Sequence, residues 1–454
     1  MIRVAAPAPV MAIYFMQEIL TPVEMAEADR LADNEAALIE SAGRAVARAI
    51  LKRFRPCRTL VLTGPGNNGA DGRAAARYLA QAGWPIRCLA TGIATPEAVA
   101  LADLVIDAIF GAGLSRDLSP EISNLLRAAK KIVAIDVPSG LDGATGAIRG
   151  FAPRAELTVT FFRLKPAHLL YPGRGLCGEV QLCDIGLPAS LLLQISPKAW
   201  RNGPWLWRLP RRQAEGHKYS SGDITVLGGA MLGAARLASA AARRCGGGMV
   251  TLAAEEMFTP AEAGLMVRDA PLAELLSDRR RTVWVCGPGL GVAPAGRKLA
   301  ALIAAQKTIV AAADALTACA NAPNRLRGAA VITPHSGEFS RVFGAVGPDK
   351  VAAVRAAADS TQAVTVLKGA DTIIAAPDGR IAINDNAPPW LATGGTGDVL
   401  SGTIAALLAQ GMPPFEAACA GVWLNGEAAT RLGQGLIAED LPDALAALMA
   451  AVPE

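Results

Sequence analysis

The chain has 454 residues, more than one ordinary hydrophobic core accommodates, so we expect two or three domains. Although 52% of the residues are hydrophobic, no apolar run is long enough to cross a bilayer and no signal-peptide cleavage site is evident, so we expect a cytoplasmic protein without membrane contact. The net charge of +4 is spread along the chain, which does not favour nucleic-acid binding. The eight cysteines form no CxxC pair and there are only three histidines, so the composition favours neither a disulfide framework nor a zinc site.

The first half of the chain alternates between predicted helices and strands. We expect an N-terminal extension over residues 1–20 and a first domain over residues 21–212, which opens with a helix because Thr21 and Glu24 have the spacing of a capping box. Short β-branched runs and alanine-rich helical stretches then predict a mostly parallel, Rossmann-like sheet covered by helices in three α/β/α layers. The predicted strands are 59–63, 86–90, 104–110, 132–136 and 157–161.

The first of these strands leads directly into the loop GPGNNGADG, from Gly64 to Gly72. The loop contains a formal GxGxxG pattern, but the next strand ends in Ala90 without the carboxylate that a dinucleotide site places there. It also lacks the lysine of a P-loop, which excludes a P-loop NTPase. Its polar side chains, Asn67, Asn68 and Asp71, can hold a ligand or a cation by direct hydrogen bonds.

Two further predicted strands end in carboxylates. Asp107 lies in DAIFGAGLSRD and Asp136 lies in AIDVPSGLDG, where Ser139 follows shortly after. Each aspartate taken alone can also be a loop cap. Because the carboxyl ends of parallel strands meet at one edge of a sheet, these residues together predict a ligand site at that edge.

The motifs GPGNNGADG, DAIFGAGL and AIDVPSGLDGATG resemble those of the NAD(P)H-hydrate epimerase family, the YjeF N-terminal domain, over about Thr21 to Pro188. The resemblance implies that the asparagine-rich loop binds a hydrated nicotinamide nucleotide and that Asp136 lies close to the chemistry. It implies a K⁺ ion held by Asn68, Asp107 and Ser139. The substrate contacts that it implies are at Asn67, Asn68, Gly69, Ala70, Asp71, Gly111, Ala112, Gly113, Leu114, Ser115, Arg116, Asp117 and Asp136.

Two residues of this half depart from the family pattern. Ala70 replaces a usual glycine of the loop, and Ser41 replaces a usual asparagine. The alanine matters only if its position requires a positive φ angle. These departures leave open a first domain that binds a ligand without catalysing a reaction.

The second half begins a new α/β series, and we expect a second domain over residues 213–454. A proline- and tryptophan-rich connector precedes it. Residues 372–384 predict a β-hairpin with its turn at Asp378-Gly379. The predicted strands before the hairpin are 224–229, 249–254, 282–287, 308–314, 330–333 and 364–369.

Three strand ends of this series carry residues suited to nucleotide chemistry. The glycines of CGPGLG, at 286–291, let a phosphate or a ring approach the backbone closely. His335 follows a strand end beside Glu338, and Lys368 lies just before the hairpin, where it can meet a phosphate. A solvated lysine at a strand end is the alternative for Lys368.

The stretch LATGGTGDVLSGTIAALLAQG, from Leu391 to Gly411, places glycines in front of a helix that begins near Asp398. Such a helix start directs unpaired N–H groups and a positive dipole end at an anion. A carboxylate there repels phosphate, which suggests a role in proton transfer. The alternative is a glycine-rich turn in which Asp398 caps the helix.

The order HKYSSG, TPHSGEF, KGADT and GGTGD resembles the ADP- or ATP-dependent NAD(P)H-hydrate dehydratase family of the ribokinase-like superfamily, over about His217 to Gly435. The resemblance implies a ribokinase-like α/β fold and the use of Mg²⁺ with ADP or ATP. It implies that Asp398 acts on the substrate. The other implied contacts are Ala234, Gly289 and His335 with the hydrated nucleotide, and Lys368, Gly369, Ala370, Asp371, Thr372 and Gly397 with the adenine nucleotide.

The pairing of both domains in one chain is similar to that of the bifunctional NAD(P)H-hydrate repair enzymes. We therefore expect the chain to interconvert the R and S epimers of NADH hydrate and NADPH hydrate and to dehydrate the S epimer, with ADP favoured over ATP. Alanine-rich helix faces lead us to expect a homo-oligomer. The alternative is a small-molecule kinase, because a GGTGD loop alone is equally compatible with that activity. Ala312, where aspartate is usual, and Asn425, where histidine is common, depart from the pattern.

Overall fold

The computed structural model describes residues 2–4, 17–32, 34–211, 214–217, 219, 221–255, 258 and 262–452. The chain divides into two compact units, Met1–Trp200 and Arg201–Glu454. The predicted boundary at residues 212 and 213 and most of the predicted N-terminal extension lie outside the described residues. Each unit has its own sheet and its own hydrophobic core, so the expected α/β protein of two domains is confirmed.

The first unit is built on a seven-stranded sheet in which all neighbouring strands are parallel. Its strands are β1 (Ile2–Val4), β2 (Thr59–Thr63), β3 (Ile86–Ala90), β4 (Leu104–Ala108), β5 (Ile132–Ile135), β6 (Leu157–Phe161) and β7 (Glu179–Cys183). The strand order is β1-β7-β6-β5-β4-β2-β3. Its helices are α1 (Pro22–Arg30), α2 (Glu35–Arg53), α3 (Asn67–Gln81), α4 (Pro96–Ala100), α5 (Pro120–Arg127), α6 (Gly173–Leu176) and α7 (Leu191–Ile195), with a 3-10 turn at Pro166–His168.

Helices cover both faces of this sheet. Strands β2, β4, β5 and β6 are buried along their whole length, as expected of a parallel sheet between two helical layers. Successive side chains of a strand point to opposite faces. Leu60 and Leu62 therefore pack in the cluster that includes Val99 of α4, whereas Val61 packs in the cluster that includes Val46 of α2. This is the predicted three-layer arrangement.

The predicted elements of this half agree with the structure except at their ends. The capping box of Thr21 and Glu24 is present at α1, and the strands predicted at 59–63, 86–90 and 157–161 are confirmed. The strand predicted to end at residue 110 ends at Ala108, and the strand predicted to end at 136 ends at Ile135. The second ends early because Asp136 has a φ angle of 68°, which an extended strand excludes.

The second unit contains a ten-stranded sheet. Strand β8 (Ala199–Arg201) includes the boundary between the units. The other strands of this sheet are β9 (Asp223–Leu227), β10 (Met249–Ala253), β11 (Met266–Arg268), β12 (Val283–Cys286), β13 (Thr308–Ala311), β14 (Val331–Ile332), β15 (Val364–Leu367), β16 (Thr372–Ala375) and β17 (Ile381–Asn384). The strand order is β11-β10-β9-β12-β13-β14-β15-β16-β17-β8. Strands β9 to β15 are joined by parallel pairs, whereas β15, β16 and β17 are antiparallel.

Helices surround this second sheet. They are α8 (Leu232–Arg244), α9 (Leu272–Ser277), α10 (Val292–Ala304), α11 (Asp314–Thr317), α12 (Ser336–Phe343), α13 (Lys350–Thr361), α14 (Thr396–Ala409), α15 (Pro414–Leu432) and α16 (Leu441–Ala451). Shorter 3-10 turns are at Pro323–Leu326, Pro389–Leu391 and Ala438–Asp440.

The strands predicted for the second half are all present. The predicted hairpin is confirmed as the antiparallel pair β16 and β17, with Gly379 at a φ angle of 89° in its turn. Each of the six preceding strands ends one to three residues before its predicted end. Residues such as Gly287, with a φ angle of 128°, and Ala313, with a φ angle of 48°, turn the chain out of the sheet. The residues beyond the strand ends are therefore free to form loops at this edge.

Within the described part of the chain, no helix combines the length and the apolar character needed to cross a bilayer. All eight cysteines have free thiols. Among the described residues, no three His, Cys, Asp or Glu side chains are grouped so as to hold a metal ion.

Helix α14 runs through the centre of the second unit. Residues Val399 to Leu408 are all buried, which is the pattern of a helix enclosed on every side. The helix approaches α8 closely at Gly402, where an added Cβ would lie 1.9 Å from the carbonyl oxygen of Ala238. Since a backbone carbonyl cannot move aside without moving its helix, only glycine fits at this contact.

We predict that Gly402→Ala lowers the free energy of unfolding of the second unit by about 1–3 kcal/mol, the usual cost of overpacking a core. The matched control is Gly233→Ala in α8, where an added Cβ meets nothing within 4 Å. That variant should be neutral or slightly stabilising, because alanine has the higher helix propensity. Urea denaturation of both variants tests the contact, and equal stabilities would contradict it.

Candidate active sites

A cavity of about 760 Å³ opens at the carboxyl edge of the first sheet. Residues of α1 and α2 line one side of it, and the segments that follow β2, β4, β5 and β6 line the other. This is the edge at which the sequence predicted a site. The polar lining residues are Asp29, Arg30, Glu35, Asn67, Asn68, Asp71, Asp136 and Lys165.

Two glycines of GPGNNGADG allow three backbone segments to touch. A Cβ at Gly64 would lie 2.0 Å from the carbonyl oxygen of Ile109, and a Cβ at Gly69 would lie 2.0 Å from that of Gly64. Ala70, in contrast, is an ordinary residue of α3 whose N–H donates to Gly66 at 3.1 Å. Because the φ angle of Ala70 is not positive, replacing glycine with alanine at this position causes no backbone strain.

Asn67 and Asn68, predicted in a loop, form the first turn of α3. The Asn67 amide donates to Glu35 on α2 at 2.8 Å. The amide nitrogen of Asn68 is buried and has no hydrogen-bond partner among the described residues. Asn68 and Asp136 both flank Gly111, where an added Cβ would lie 3.7 Å from the amide oxygen of Asn68 and 3.0 Å from Asp136 Oδ2. The amide of Asn68 is therefore available to a ligand.

Asp136 is held as an ionised carboxylate. Its Oδ1 lies 2.8 Å from Lys165 Nζ and accepts a hydrogen bond from Thr160 Oγ1 at 2.9 Å, and its Oδ2 accepts the N–H of Ala112 at 2.8 Å. Burial alone would raise the pKa of Asp136, but the charge of Lys165 and these hydrogen bonds lower it to about 2. This side chain can accept a proton or a hydrogen bond from a ligand.

Lys165 is a site residue that sequence reasoning missed. Its side chain is 2% exposed, forms part of the cavity wall and also donates to Thr160 Oγ1 at 2.9 Å. A lysine shortly after the apolar strand LTVTF was the available signal, because a lysine is almost never fully buried unless it is paired.

A second cavity carboxylate is in the opposite protonation state. Burial, together with the charges of Asp136 and Asp29, raises the pKa of Asp71 to about 8. Asp71 is therefore neutral at physiological pH and can donate a hydrogen bond. Burial also raises the pKa of Asp29, a lining residue of α1 that sequence reasoning missed. Among the carboxyl groups that line the cavity, Asp136 is thus ionised and Asp71 is protonated.

The predicted contact segment from Gly111 to Asp117 reaches the cavity only in part. Gly111, Ala112 and Gly113 line it. Leu114 instead packs in the hydrophobic core beneath. Ser115, Arg116 and Asp117 are exposed and are not among its lining residues.

Asp107 and Ser139, two of the three expected K⁺ ligands, are in direct contact. Ser139 donates its hydroxyl to Asp107 Oδ1 at 2.7 Å and its N–H to Oδ2 at 2.8 Å. Asp107 is fully buried, and burial raises its pKa to about 6 although the bonds from Ser139 oppose the shift. Its hydrogen-bond partners are all neutral, so a bound monovalent cation would compensate the negative charge of this buried carboxylate.

In the second unit, two predicted motifs are joined at the sheet edge. The N–H of Lys368 donates to the carbonyl oxygen of Pro334 at 2.8 Å, which places KGADT beside TPHSGEF. The Lys368 ammonium lies 3.7 Å from Glu338 Oε2. Burial lowers the pKa of Lys368, whereas the charges of Glu338 and Asp398 oppose that shift. Lys368 is thus a partly buried lysine that interacts with two carboxylates, although 24% of its side chain remains exposed.

His335 caps helix α12. Its Nδ1 accepts the N–H of Gly337 at 3.0 Å, and Glu338 Oε2 accepts the N–H of His335 at 2.8 Å, which completes a capping box. About half of the imidazole, 51%, remains exposed. The ring therefore has a structural role and still presents a face to a ligand.

Asp398 lies in the first turn of α14 and does not cap it. The N-cap is Gly395, with a φ angle of 91°, and the Asp398 carboxylate accepts no hydrogen bond from the described residues. The N–H groups of Thr396 and Gly397 likewise lack an acceptor there. A Cβ at Gly397 would lie 3.2 Å from Lys368 Nζ, so the lysine reaches this helix start. This helix start is therefore a candidate site for the anion that the sequence predicts.

The protonation of Asp398 is set by opposing charges. Burial raises its pKa, and the carboxylates of Glu338 and Asp314 raise it further, while Lys368 opposes them. A carboxylate with a raised pKa and no hydrogen-bond donor is well suited to take a proton from a bound ligand.

The remaining residues of KGADT shape the loop. The Thr372 hydroxyl accepts the N–H of Gly369 at 3.1 Å and donates to its carbonyl oxygen at 2.9 Å. Asp371 is paired with Lys350, at 2.6 Å, on α13. Asp371 and Thr372 thus stabilise the turn, while Gly369 and Ala370 are its exposed residues. Lys350 is a supporting residue that sequence reasoning missed.

The loop CGPGLG packs against the segment in which Ala312 replaces an aspartate. A Cβ at Gly287 would lie 1.7 Å from the carbonyl oxygen of Ala312. Asp314 Oδ2 accepts the N–H of Gly291 at 2.8 Å. Because the backbone of residue 312 and the side chain of residue 314 make these contacts, the loop keeps its position without the missing carboxylate.

Ala234 and Gly289, two expected contacts with the hydrated nucleotide, lie close together. Ala234 is in the first turn of α8, whose N-cap Met231 donates its N–H to the carbonyl oxygen of Gly289 at 3.0 Å. Asn425 lies behind the anion site, where its amide donates to the carbonyl oxygen of Thr396 at 3.4 Å. In place of the more common histidine it therefore supports the same helix start.

Comparison with known proteins assigns both units to families. The model of the NAD(P)H-hydrate dehydratase family matches residues 224–449, and that of the YjeF-related protein N-terminus matches residues 35–98 and 91–167.

Similar proteins share both units. The bifunctional NAD(P)H-hydrate repair enzyme of Moorella thermoacetica is 35% identical over 94% of this chain and 96% of its own length. The enzyme of the same name from Escherichia coli is 35% identical over 86% of each chain. That from Mycobacterium tuberculosis is 38% identical over 80% of each chain.

Solved structures also resemble part of this chain. The ADP/ATP-dependent NAD(P)H-hydrate dehydratase of Bacillus subtilis, co-crystallised with ATP/Mg²⁺, is 29% identical with a TM-score of 0.49 and covers 54% of this chain and 95% of its own. A ribokinase-like superfamily protein of Enterococcus faecalis is 24% identical with a TM-score of 0.47 and covers 54% of this chain and 92% of its own. With relatives that match across nearly their full length, the chain belongs to the family of bifunctional NAD(P)H-hydrate repair enzymes, which combine an epimerase and a dehydratase in one polypeptide.

Proposed function

We propose that the first unit interconverts the R and S hydrates of NADH and NADPH in the cavity beside Asp136, and that the second unit dehydrates the S hydrate at Asp398 with ADP or ATP as phosphoryl donor. One observation carries this proposal: each unit has its own carboxylate at a sheet edge, and the two are in different electrostatic settings. Asp136 is ion-paired with a buried lysine, whereas Asp398 lies beside unpaired N–H groups.

The cavity of the first unit suits reversible proton transfer at a hydroxyl group. The ionised Asp136 can take the proton of the hydroxyl on C6 of the hydrated ring, after which the C6–N1 bond can open to an aldehyde. The neutral Asp71 can supply a proton to the nitrogen. Return of both protons and reclosure on the other face of C6 give the other epimer, so no atom is gained or lost.

The site of the second unit suits elimination after phosphoryl transfer. Asp398 takes the proton of the C6 hydroxyl, and the oxygen attacks the terminal phosphoryl group of the nucleotide. The N–H groups of Thr396 and Gly397 and the Lys368 ammonium stabilise the charge that moves with this group. Phosphate then leaves with the electrons of the C6–O bond, and loss of a proton from C5 restores the reduced nicotinamide.

A nucleotide-borne Mg²⁺ is compatible with this arrangement. Mg²⁺ usually keeps several waters and binds through phosphates and one or two carboxylates, and it would offset the phosphate charges there. Asp314 and Glu338 are the carboxylates whose charges act on Asp398. Both Glu338 oxygens already face His335 or Lys368, so the residues favour an ion that arrives with the nucleotide.

The first unit has residues that fit K⁺. Asp107 and Ser139 would bind it through oxygen atoms, and Asn68 would do so if its amide, which has no partner, presents its oxygen instead of its nitrogen. The ion would neutralise the buried Asp107 carboxylate and so keep the Ser139 turn in place behind the cavity.

Replacing the two carboxylates separately should divide the activities. Asp398→Asn should lower the rate of dehydration by about 10²–10⁴-fold, the usual contribution of a general base, and leave epimerisation unchanged. Asp136→Asn should have the reverse effect. Recovery of the absorbance of the reduced nicotinamide reports dehydration, and chromatographic separation of the hydrates reports epimerisation. Equal loss of both activities in either variant would refute two separate sites, and a stable phosphorylated product would indicate a kinase.

The dehydratase should lose activity in acid before the epimerase does. Its base must be ionised, so the rate falls as the pH drops through the raised pKa of Asp398, whereas Asp136, with a pKa of about 2, stays ionised. Asp314→Asn removes one charge that raises the pKa of Asp398 and keeps an oxygen that can accept from Gly291. This variant should shift the acid limb of kcat to lower pH, and an unchanged limb would contradict the assignment.

Epimerisation should depend on K⁺. Ser139→Ala removes one proposed ligand and should raise the K⁺ concentration for half-maximal epimerisation by about tenfold, equivalent to about 1.4 kcal/mol of binding free energy. The rate of dehydration by the same protein should not depend on the K⁺ concentration. Titration of K⁺ against a background of tetramethylammonium measures how the rates of both reactions depend on the ion. An epimerisation rate independent of K⁺ would rule out the proposed cation.

A further inference from the structure

His168 contacts both members of the Asp136–Lys165 ion pair through their backbones. It ends the 3-10 turn Pro166–His168 and is 1% exposed. Its Nδ1 accepts the N–H of Lys165 at 2.9 Å, and its Nε2 lies 2.8 Å from the carbonyl oxygen of Asp136. One imidazole ring therefore bridges two residues that are far apart in sequence.

These two partners determine the tautomer of His168. The N–H of Lys165 can only donate, so Nδ1 must carry a lone pair, and the carbonyl oxygen of Asp136 can only accept, so Nε2 must carry the proton. Burial and the charge of Lys165 lower the pKa of His168 to about 4, which keeps this neutral form at physiological pH. Both ring nitrogens are thus fully used, and neither remains for a substrate.

The bond to the Asp136 carbonyl matters because of the backbone conformation there. Asp136 has a φ angle of 68°, in the left-handed region that an aspartate tolerates but does not prefer. Its N–H donates to the carbonyl oxygen of Val159 at 2.7 Å, and its carbonyl oxygen is held by His168. In this conformation the carboxylate meets Lys165, Thr160 and the N–H of Ala112.

We propose that His168 is a positioning residue for epimerisation, which fixes the left-handed turn at Asp136 and so directs its carboxylate at Lys165 and the cavity. His168 is not among the residues that line the cavity, so its effect on the reaction passes through Asp136. This inference rests on the proposed role of Asp136 as the proton acceptor.

Three substitutions separate the two hydrogen bonds. His168→Gln places an amide nitrogen near the position of Nε2 and can keep the bond to Asp136. His168→Asn places an amide oxygen near the position of Nδ1 and can keep only the bond to Lys165. His168→Leu removes both bonds.

We expect His168→Leu and His168→Asn to lower the kcat of epimerisation by about 10–100-fold, as small displacements of a catalytic group do, with KM changed by less than about threefold. His168→Gln should recover most of kcat. Dehydration by the same polypeptide should remain unchanged in all three variants.

Thr158→Val is the matched control. It removes the buried hydrogen bond from Thr158 Oγ1 to the carbonyl oxygen of Cys177, 2.6 Å long, which does not involve Asp136. This variant should lower the thermal unfolding midpoint of the first unit without changing kcat.

Each outcome decides the matter. If the His168 variants lower the unfolding midpoint as Thr158→Val does but leave kcat intact, His168 has only a structural role and the inference is overturned. Rescue by asparagine rather than glutamine would also overturn it. If Asp136→Asn itself keeps epimerase activity, the proposed function of Asp136 fails instead.

Discussion

The cost of burying charge organises both sites of this protein. A carboxylate removed from water must be matched by a cation or by several hydrogen bonds, or it takes up a proton. Asp136 is matched by Lys165 and by donors from Thr160 and Ala112, and it stays ionised. Asp71, without such partners, is protonated near neutral pH. The positions of lysines and N–H groups around the strand ends therefore decide which groups carry protons.

The two units apply this constraint differently at the same topological place, the carboxyl edge of a parallel sheet. In the first unit the cation and the carboxylate are in direct contact, so the pKa of the carboxylate falls. In the second unit Lys368 interacts with both Glu338 and Asp398, but burial and the charges of Glu338 and Asp314 raise the pKa of Asp398. In the proposed reactions, the low pKa of Asp136 makes it a base that releases its proton readily, whereas Asp398 is a base with a raised pKa beside the proposed phosphate site.

Much of this architecture could be predicted from the sequence because it rests on local patterns. Runs of β-branched residues gave the strands, and the Asp378-Gly379 pair gave the hairpin turn. Lys165 and His168 were missed because their importance comes from contacts with Asp136, about thirty residues earlier, that no local pattern reveals. Conversely, Ala70 replaces a family glycine without straining the backbone, because its φ angle is helical. The sequence alone could not reveal this angle. The family resemblance implies a substrate contact at Leu114, but this side chain packs in the core.

The contact between Gly64, Gly69 and Ile109 also restricts how this cavity can be redesigned. A Cβ added at Gly64 or at Gly69 would lie only 2.0 Å from a carbonyl oxygen of the neighbouring segment. The three backbone segments are therefore packed so closely that none can be shifted separately. An engineer who wants the first unit to accept a bulkier nucleotide cannot gain space by moving the start of α3. The adjustable positions are side chains on the opposite wall, such as Met25 of α1 and Leu38 of α2, which belong to helices outside these segments.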